Sequence, residues 1–279
     1  MTSITNPKNM TNPIIPIPIK TAGGSDFVPA VTAYLPNNDD RNKPAVVIFA
    51  GGAYKVVSQY EAAPTARKYA DRGFAAFCVQ YSCLPAVFPQ SLCEGLWVIR
   101  YLREQAETFG IDAGNITAMG FSAGGHLAAA LGTLWDTPVV KEYLGEDTRD
   151  CRPDRLVLCY PVLSNEGAYH KGSFLNLLGS DGFCKEELRR LTCLEHQVTE
   201  ETPPTFLWHG GADRDVPVSG SVRFLDALIA HNVPVEFHLY PFAAHGGGLN
   251  SGAYHRDWSD KAEVFMRDER LRDCGGKPT

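Results

Sequence analysis

Ala118-Met119-Gly120-Phe121-Ser122-Ala123-Gly124-Gly125-His126 is the stretch that decides how this chain is read. It spells G-x-S-x-G between a short apolar run, Ile116-Thr117-Ala118-Met119, and a small-residue run, Leu127 to Leu131, with helical character. A serine at a strand-to-helix turn adopts a strained backbone that lifts its hydroxyl clear of the fold. Glycine is needed on both sides because a Cβ there would strike neighbouring backbone. Ser122 is therefore the candidate nucleophile. The helix that follows aims its N-terminal amides and positive dipole end at the place where an oxyanion would form beside that hydroxyl. The bare motif recurs in unrelated chains, so its weight comes from the strand before it and the helix after it.

Working outward, the chain alternates strands with helices. Ala45 to Ala50 is continuously apolar and β-branched, as a strand covered on both faces should be. Ala62 to Gly73 reads as a helix closed by glycine, Ala75 to Tyr81 as a strand, and Pro89 to Phe109 as a helix with its stripe at Leu92, Leu96, Ile99, Leu102 and Ala106. Arg155 to Tyr160 is a strand, as are Thr205 to His209 and Val235 to Tyr240. Val218, Val222, Leu225 and Ile229 suggest a helix between the last two, and Lys261 to Arg272 a terminal helix. Thr21 to Pro36 suggests edge strands with Val28, Val31 and Tyr34. Such alternation predicts an α/β fold with a doubly wound, mainly parallel sheet flanked by helices. Ser164 to Pro204 breaks the pattern. It is polar, interrupted by Gly167, Gly172, Gly179 and Gly182, and reads as an insertion acting as a partial lid.

The chain has 279 residues, which a single α/β domain accommodates, with residues 1–20 as an N-terminal extension. Its net charge of −6 carries no basic cluster, which predicts no nucleic-acid or membrane partner. Prolines cut the apolar run Ile14 to Ile19 and oppose the helix of a signal sequence. The eight cysteines lack a C-x-x-C and read as reduced, small apolar residues, which predicts a cytoplasmic location. The eight histidines show no metal-ligand spacing, so neither metal nor cofactor is expected. Self-association is compatible with this composition but not specified by it.

In an open parallel sheet, functional groups collect beyond the carboxyl ends of the strands. Asp213 and Asp215 follow the Thr205 to His209 strand, and His245 follows the last strand inside Pro241-Phe-Ala-Ala-His245-Gly-Gly-Gly248. Serine, acid and histidine thus occur in the chain order of α/β-hydrolases. A serine hydroxyl needs an imidazole to take its proton, and the imidazole needs a carboxylate to fix its tautomer. His245 is the candidate base. His209 suits structural hydrogen bonds, His126 and His238 lie inside elements, and His255 is a weaker rival. Spacing does not separate Asp213 from Asp215, and the one not used is expected to cap the helix near Pro217. Gly51-Gly52-Ala53 just past the Val46 to Phe49 strand is placed to supply oxyanion amides from Gly52 and Ala53, with Ala123 giving the other.

On these residues the chain resembles the α/β-hydrolase superfamily, in its lipase/esterase branch with acetyl xylan esterase-like and feruloyl esterase-like enzymes. The likeness runs from about Ala30 to Leu249. It rests on Gly51-Gly52-Ala53-Tyr54 with Ser58 and Glu61, Gly120 to Ala128, Pro203 to Gly210 with Asp213 and Val216-Pro217, and Tyr240-Pro241 with His245 to Leu249. The resemblance implies Ser122, Asp213 and His245 as a triad and so selects Asp213 over Asp215. It also implies a serine carboxylesterase acting on short acyl esters, acetyl above all, of a carbohydrate such as xylan oligosaccharides. Amide hydrolysis, as by an arylformamidase or a small peptidase, and a non-catalytic binding role are the alternatives. Two departures stand out. Relatives often carry His-Gly-Gly-Gly where this chain has Ala50-Gly51-Gly52-Ala53, and arginine where Tyr60 precedes Glu61. Ala53 keeps its amide, so the oxyanion role requires only that the turn tolerate a Cβ.

Overall fold

A computed structural model describes residues 12–19, 27–38, 40–250 and 257–272. One eight-stranded sheet runs through the molecule: β1 (Ile14–Pro16), β2 (Ala30–Tyr34), β3 (Lys43–Phe49), β4 (Ala75–Gln80), β5 (Ile111–Phe121), β6 (Arg155–Cys159), β7 (Thr205–Gly210) and β8 (Val235–Tyr240). Its spatial order is β1-β2-β4-β3-β5-β6-β7-β8, antiparallel at β1/β2 and β2/β4 and parallel from β4 to β8. The helices are α1 (Gln59–Asp71), α2 (Gln90–Glu104), α3 (Ala106–Phe109), α4 (Ala123–Thr133), α5 (Pro138–Leu144), α6 (Lys171–Phe183), α7 (Glu186–Leu191), α8 (Ser219–Ala230) and α9 (Trp258–Arg267).

Alternation along β3 explains the three layers. Ala45, Val47 and Phe49 join a core shared with α2, α4, α5, α6 and α8, whereas Val46 and Ile48 join one shared with α1 and α9. Both faces are covered, so all of Ala45 to Phe49 is buried. The chain leaves β3 for β4 on one side and returns to β5 on the other. That reversal opens a crevice at the carboxyl ends of β3 and β5, where an open sheet binds its ligands. No helix of the described residues is long and apolar enough to cross a membrane.

The mainly parallel, doubly wound arrangement matches the expectation from the sequence, with instructive differences. The α2 stripe continues past a break at Gln105, which separates α3. Val28 lies outside β2 and is exposed, while residues 21–26 of the expected edge strand lie outside the described residues. The segment 164–204 is more ordered than its glycines suggest. It forms α6 and α7, buries Phe174, Leu177, Leu178, Cys193 and Leu194, and uses Gly179 at φ 68° to break α6. The helix expected from Val218, Val222, Leu225 and Ile229 is α8; Val222 and Ile229 are exposed, and its buried residues are Gly220, Ser221, Phe224 and Leu228. A buried serine leaves no mark in a hydrophobicity pattern.

Burial of Phe224 on the inner face of α8 predicts that Phe224→Ala costs about 3–5 kcal/mol in urea unfolding. Val222→Ala on the outer face changes stability by less than about 0.5 kcal/mol.

Candidate active site

Ser122 sits between β5 and α4 at φ 54° and ψ −118°. The glycines around it are required by contact. A Cβ on Gly120 would lie 2.0 Å from the Gly124 carbonyl oxygen, and one on Gly124 only 2.1 Å from that of Phe49. The strained turn is therefore packed directly against the end of β3. Its backbone is tied down as well, since the Ser122 amide donates to the Cys159 carbonyl and the Ser122 carbonyl accepts from the Val162 amide.

The loops after β7 and β8 meet this turn. His245 Nε2 is 2.9 Å from Ser122 Oγ, and His245 Nδ1 is 2.7 Å from Asp213 Oδ2. Asp213 carries an ionised acceptor, so Nδ1 bears the hydrogen and Nε2 presents its lone pair to the serine hydroxyl. The Asp213 side chain is fully buried. Burial by itself would raise its pKa, but hydrogen bonds from His209 and His245 and from the Val216 amide hold it well below the usual carboxylate range.

The other candidates take different places. Asp215 is exposed, and its amide donates to Asp213 Oδ1. It does not cap α8, which begins without any side-chain cap; the Asp213 carboxylate instead accepts from the Asp215 and Val216 amides of the loop before that helix. His209 is wholly buried, with Nδ1 accepting from Ser221 and Nε2 directed to the Val216 carbonyl and, at 3.2 Å, to Asp213 Oδ2. Its structural bonds thus fix the acid. His238 bonds Glu236 within β8, and His255 lies outside the described residues.

Gly52 and Ala53 follow Gly51 in the turn beside Ser122, and Ala123 follows Ser122 in the chain. A Cβ on Gly51 would stand 3.1 Å from Ser122 Cβ, so the glycine turn abuts the serine. Gly52 (φ 129°), Ala53 (φ 55°) and Tyr54 (φ 56°) are all left-handed, and Ala53 bears its Cβ there. Ala123 opens α4, where an amide has no intrahelical acceptor. Two contacts from outside hold the left-handed run. Asn176 Nδ2 of α6 donates to the Ala53 carbonyl, and Tyr54 OH bonds Nδ1 of the buried His126. His126 Nε2 faces the Thr192 carbonyl, and burial pushes its pKa down to about 4, so it stays neutral and accepts from Tyr54. The sequence carries no signal for Asn176, a single polar residue in a glycine-broken segment.

Histidine spacing along the chain hides one further group. Glu166, Cys193, Glu195 and His196 bring potential metal-ligating atoms within 4.8 Å of one another among the described residues. Arg223 Nε already sits 3.0 Å from Glu195 Oε1, and His196 bonds Glu166, so both carboxylates are engaged by side chains of the protein. The seven cysteines described are free thiols, while Cys274 lies outside the described residues.

Fold and site geometry together define an α/β-hydrolase. The chain belongs to the BD-FAE family, which it matches over residues 31–228. It is 31% identical over 256 residues to endo-1,4-beta-xylanase B of Butyrivibrio fibrisolvens, covering 88% of this chain and 39% of that protein. It is 27% identical over 234 residues to the acetylxylan esterase of Xylanibacter ruminicola, covering 81% and 45%. The chain thus spans less than half the length of these two curated relatives. Among solved structures, an acetyl ester-xyloside bifunctional hydrolase from Caldicellulosiruptor lactoaceticus superposes with a TM-score of 0.83 at 35% identity, covering 91% of this chain and 95% of that one. The family match ends before His245, whose position here comes from the geometry of the β8 loop.

Two aspartates a residue apart provide a test of this geometry. Asp213→Asn is expected to lower kcat about 1,000- to 10,000-fold, because an amide no longer enforces the His245 tautomer. Asp215→Asn should leave kcat within about twofold. Folding lowers the Asp213 pKa, so its contribution to stability is complete above the ordinary carboxylate value of about 4 and is lost as pH falls below it. Urea melts between pH 6 and pH 3 should therefore show a flatter acid limb for Asp213→Asn than for the wild type.

Proposed function

We propose that the protein is a serine carboxylesterase that removes short acyl groups, acetyl foremost, from carbohydrate hydroxyls such as those of acetylated xylan oligosaccharides. Ser122 is the nucleophile, His245 the general base and acid, and Asp213 the group that orients and stabilises the imidazolium. The amides of Gly52, Ala53 and Ala123 form the oxyanion hole. The observation that carries this reading is the relay from Asp213 Oδ2 through His245 to Ser122 Oγ, with contacts of 2.7 and 2.9 Å. Residues 164–204 belong to the same single domain and border the site through Asn176.

The chemistry follows from the tautomer. Ser122 Oγ attacks the ester carbonyl carbon as His245 Nε2 takes its proton, and the negative charge moves to the carbonyl oxygen in front of the three amides. Each such donor lowers the barrier by about 3 kcal/mol in acyl transfer. Collapse of the tetrahedral species breaks the bond to the alcohol, which leaves with the proton from Nε2. A water molecule then loses its proton to the same nitrogen and attacks the acyl-serine, releasing the acid and restoring Ser122. The acetyl and xylan elements of the proposal draw on the acetylxylan esterase and the acetyl ester-xyloside hydrolase to which this chain is similar.

The test is acetate release from acetylated xylo-oligosaccharides, run beside N-formylkynurenine and aminoacyl amides. The wild type is expected to turn over the acetylated sugars fastest, and Ser122→Ala to lose about a million-fold in kcat. Faster turnover of either amide substrate would move the proposal to an amidase, and unchanged turnover by Ser122→Ala would end it.

A further inference from the structure

Glu61 is almost wholly buried, yet among the described residues no lysine or arginine forms an ion pair with it. It occupies the third position of α1, where a glutamate commonly folds back to close a capping box. No side chain caps α1 here. The carboxylate instead spans two loops of the candidate site. Oε2 accepts from the Gly51 amide at 2.7 Å, and Oε1 accepts from Tyr160 OH at 2.8 Å. The Tyr160 oxygen accepts in turn from the Gly248 amide at 3.0 Å.

This continuous path links the oxyanion turn to the loop that carries His245. Both ends need holding. Gly52, Ala53 and Tyr54 are left-handed on one side, and Gly246, Gly247 and Gly248 have φ of 81°, 93° and 51° on the other. Glycine-rich backbone of this kind has no preference of its own for one shape. Tyr160 also spends conformational energy at φ 38°, directly after the Cys159 carbonyl that receives the Ser122 amide, and its ring meets the His245 ring edge-on at 5.0 Å. Burial raises the Glu61 pKa, against the opposing effect of the hydrogen bonds from Tyr160 and Gly51.

Building on the esterase reading above, we propose that Glu61 and Tyr160 are positioning residues: a carboxylate–phenol strut that sets the oxyanion amides and the His245 imidazole at a fixed separation about Ser122. The strut touches none of the reacting atoms. Its effect falls on the transition state, where a misplacement of about 1 Å costs roughly 100-fold, and little of it falls on substrate affinity.

The experiment measures kcat and KM for 4-nitrophenyl acetate with wild type, Glu61→Gln, Tyr160→Phe, the double variant and Ser122→Ala, with thermal unfolding alongside. Glutamine has one acceptor oxygen for two donors, so kcat should fall about 10- to 100-fold with KM within about twofold. Tyr160→Phe retains the ring against His245 and should fall about 10-fold. The double variant should resemble the worse single variant, because either change cuts the same path. If Glu61→Gln fails to fold, the Tyr160→Phe split between kcat and KM decides the matter. Single variants with kcat within twofold of wild type, or losses that multiply independently, overturn the strut while Ser122→Ala remains inactive. Turnover retained by Ser122→Ala overturns the esterase reading and the strut together.

Discussion

The imidazole of His245 is held at both nitrogens, and the rest of the site is arranged to keep it there. One nitrogen meets a fully buried carboxylate and the other a hydroxyl that comes from 123 residues earlier in the chain. A buried charge is expensive unless every oxygen is occupied. Asp213 satisfies that demand locally: Oδ1 takes the amides of Asp215 and Val216, and Oδ2 takes His245 and His209. His209, in turn, is fixed by Ser221 of α8 and the Val216 carbonyl. The acid therefore arrives with its position already determined, whereas His245 stands at the start of a run of three glycines.

Rigidity elsewhere has been concentrated where the backbone is strained. Ser122, Ala53, Tyr54 and Tyr160 all adopt positive φ without being glycine, and all lie at the carboxyl edge of the sheet or in the turn beside it. Such conformations persist only when the surroundings overdetermine them. The surroundings do so here through β3 packed on α4, through Asn176 on the Ala53 carbonyl, and through Tyr54 on a neutral His126. Residues 164–204, expected as a partial lid, contact the Gly51-Gly52-Ala53 turn through Asn176.

The inner parallel strands were readable because burial on both faces leaves continuous apolar runs such as Ala45 to Phe49, and the half-exposed edge strand Val235–Tyr240 also falls where it was expected. Ser122 and His245 were readable because glycine spacing and strand ends constrain where such groups can stand. Spacing did not choose between Asp213 and Asp215, since that depends on which carboxylate faces inward from a loop; the family resemblance did. The inner face of α8 was not legible for a related reason: Ser221 is buried and bonds His209, and polar burial leaves no trace in a hydrophobic stripe. Asn176, Tyr160 and the partners of Glu61 likewise become visible only once distant loops are brought together.

The central claim is that Ser122, activated by His245, faces three backbone amides able to hold an oxyanion. Its most direct test is the crystal structure of the protein after reaction with a fluorophosphonate. The account predicts a covalent bond from Ser122 Oγ to phosphorus, with the phosphoryl oxygen about 2.7–3.1 Å from the amides of Gly52, Ala53 and Ala123. A phosphoryl oxygen turned to solvent away from those amides, or an adduct on any other residue, would contradict it.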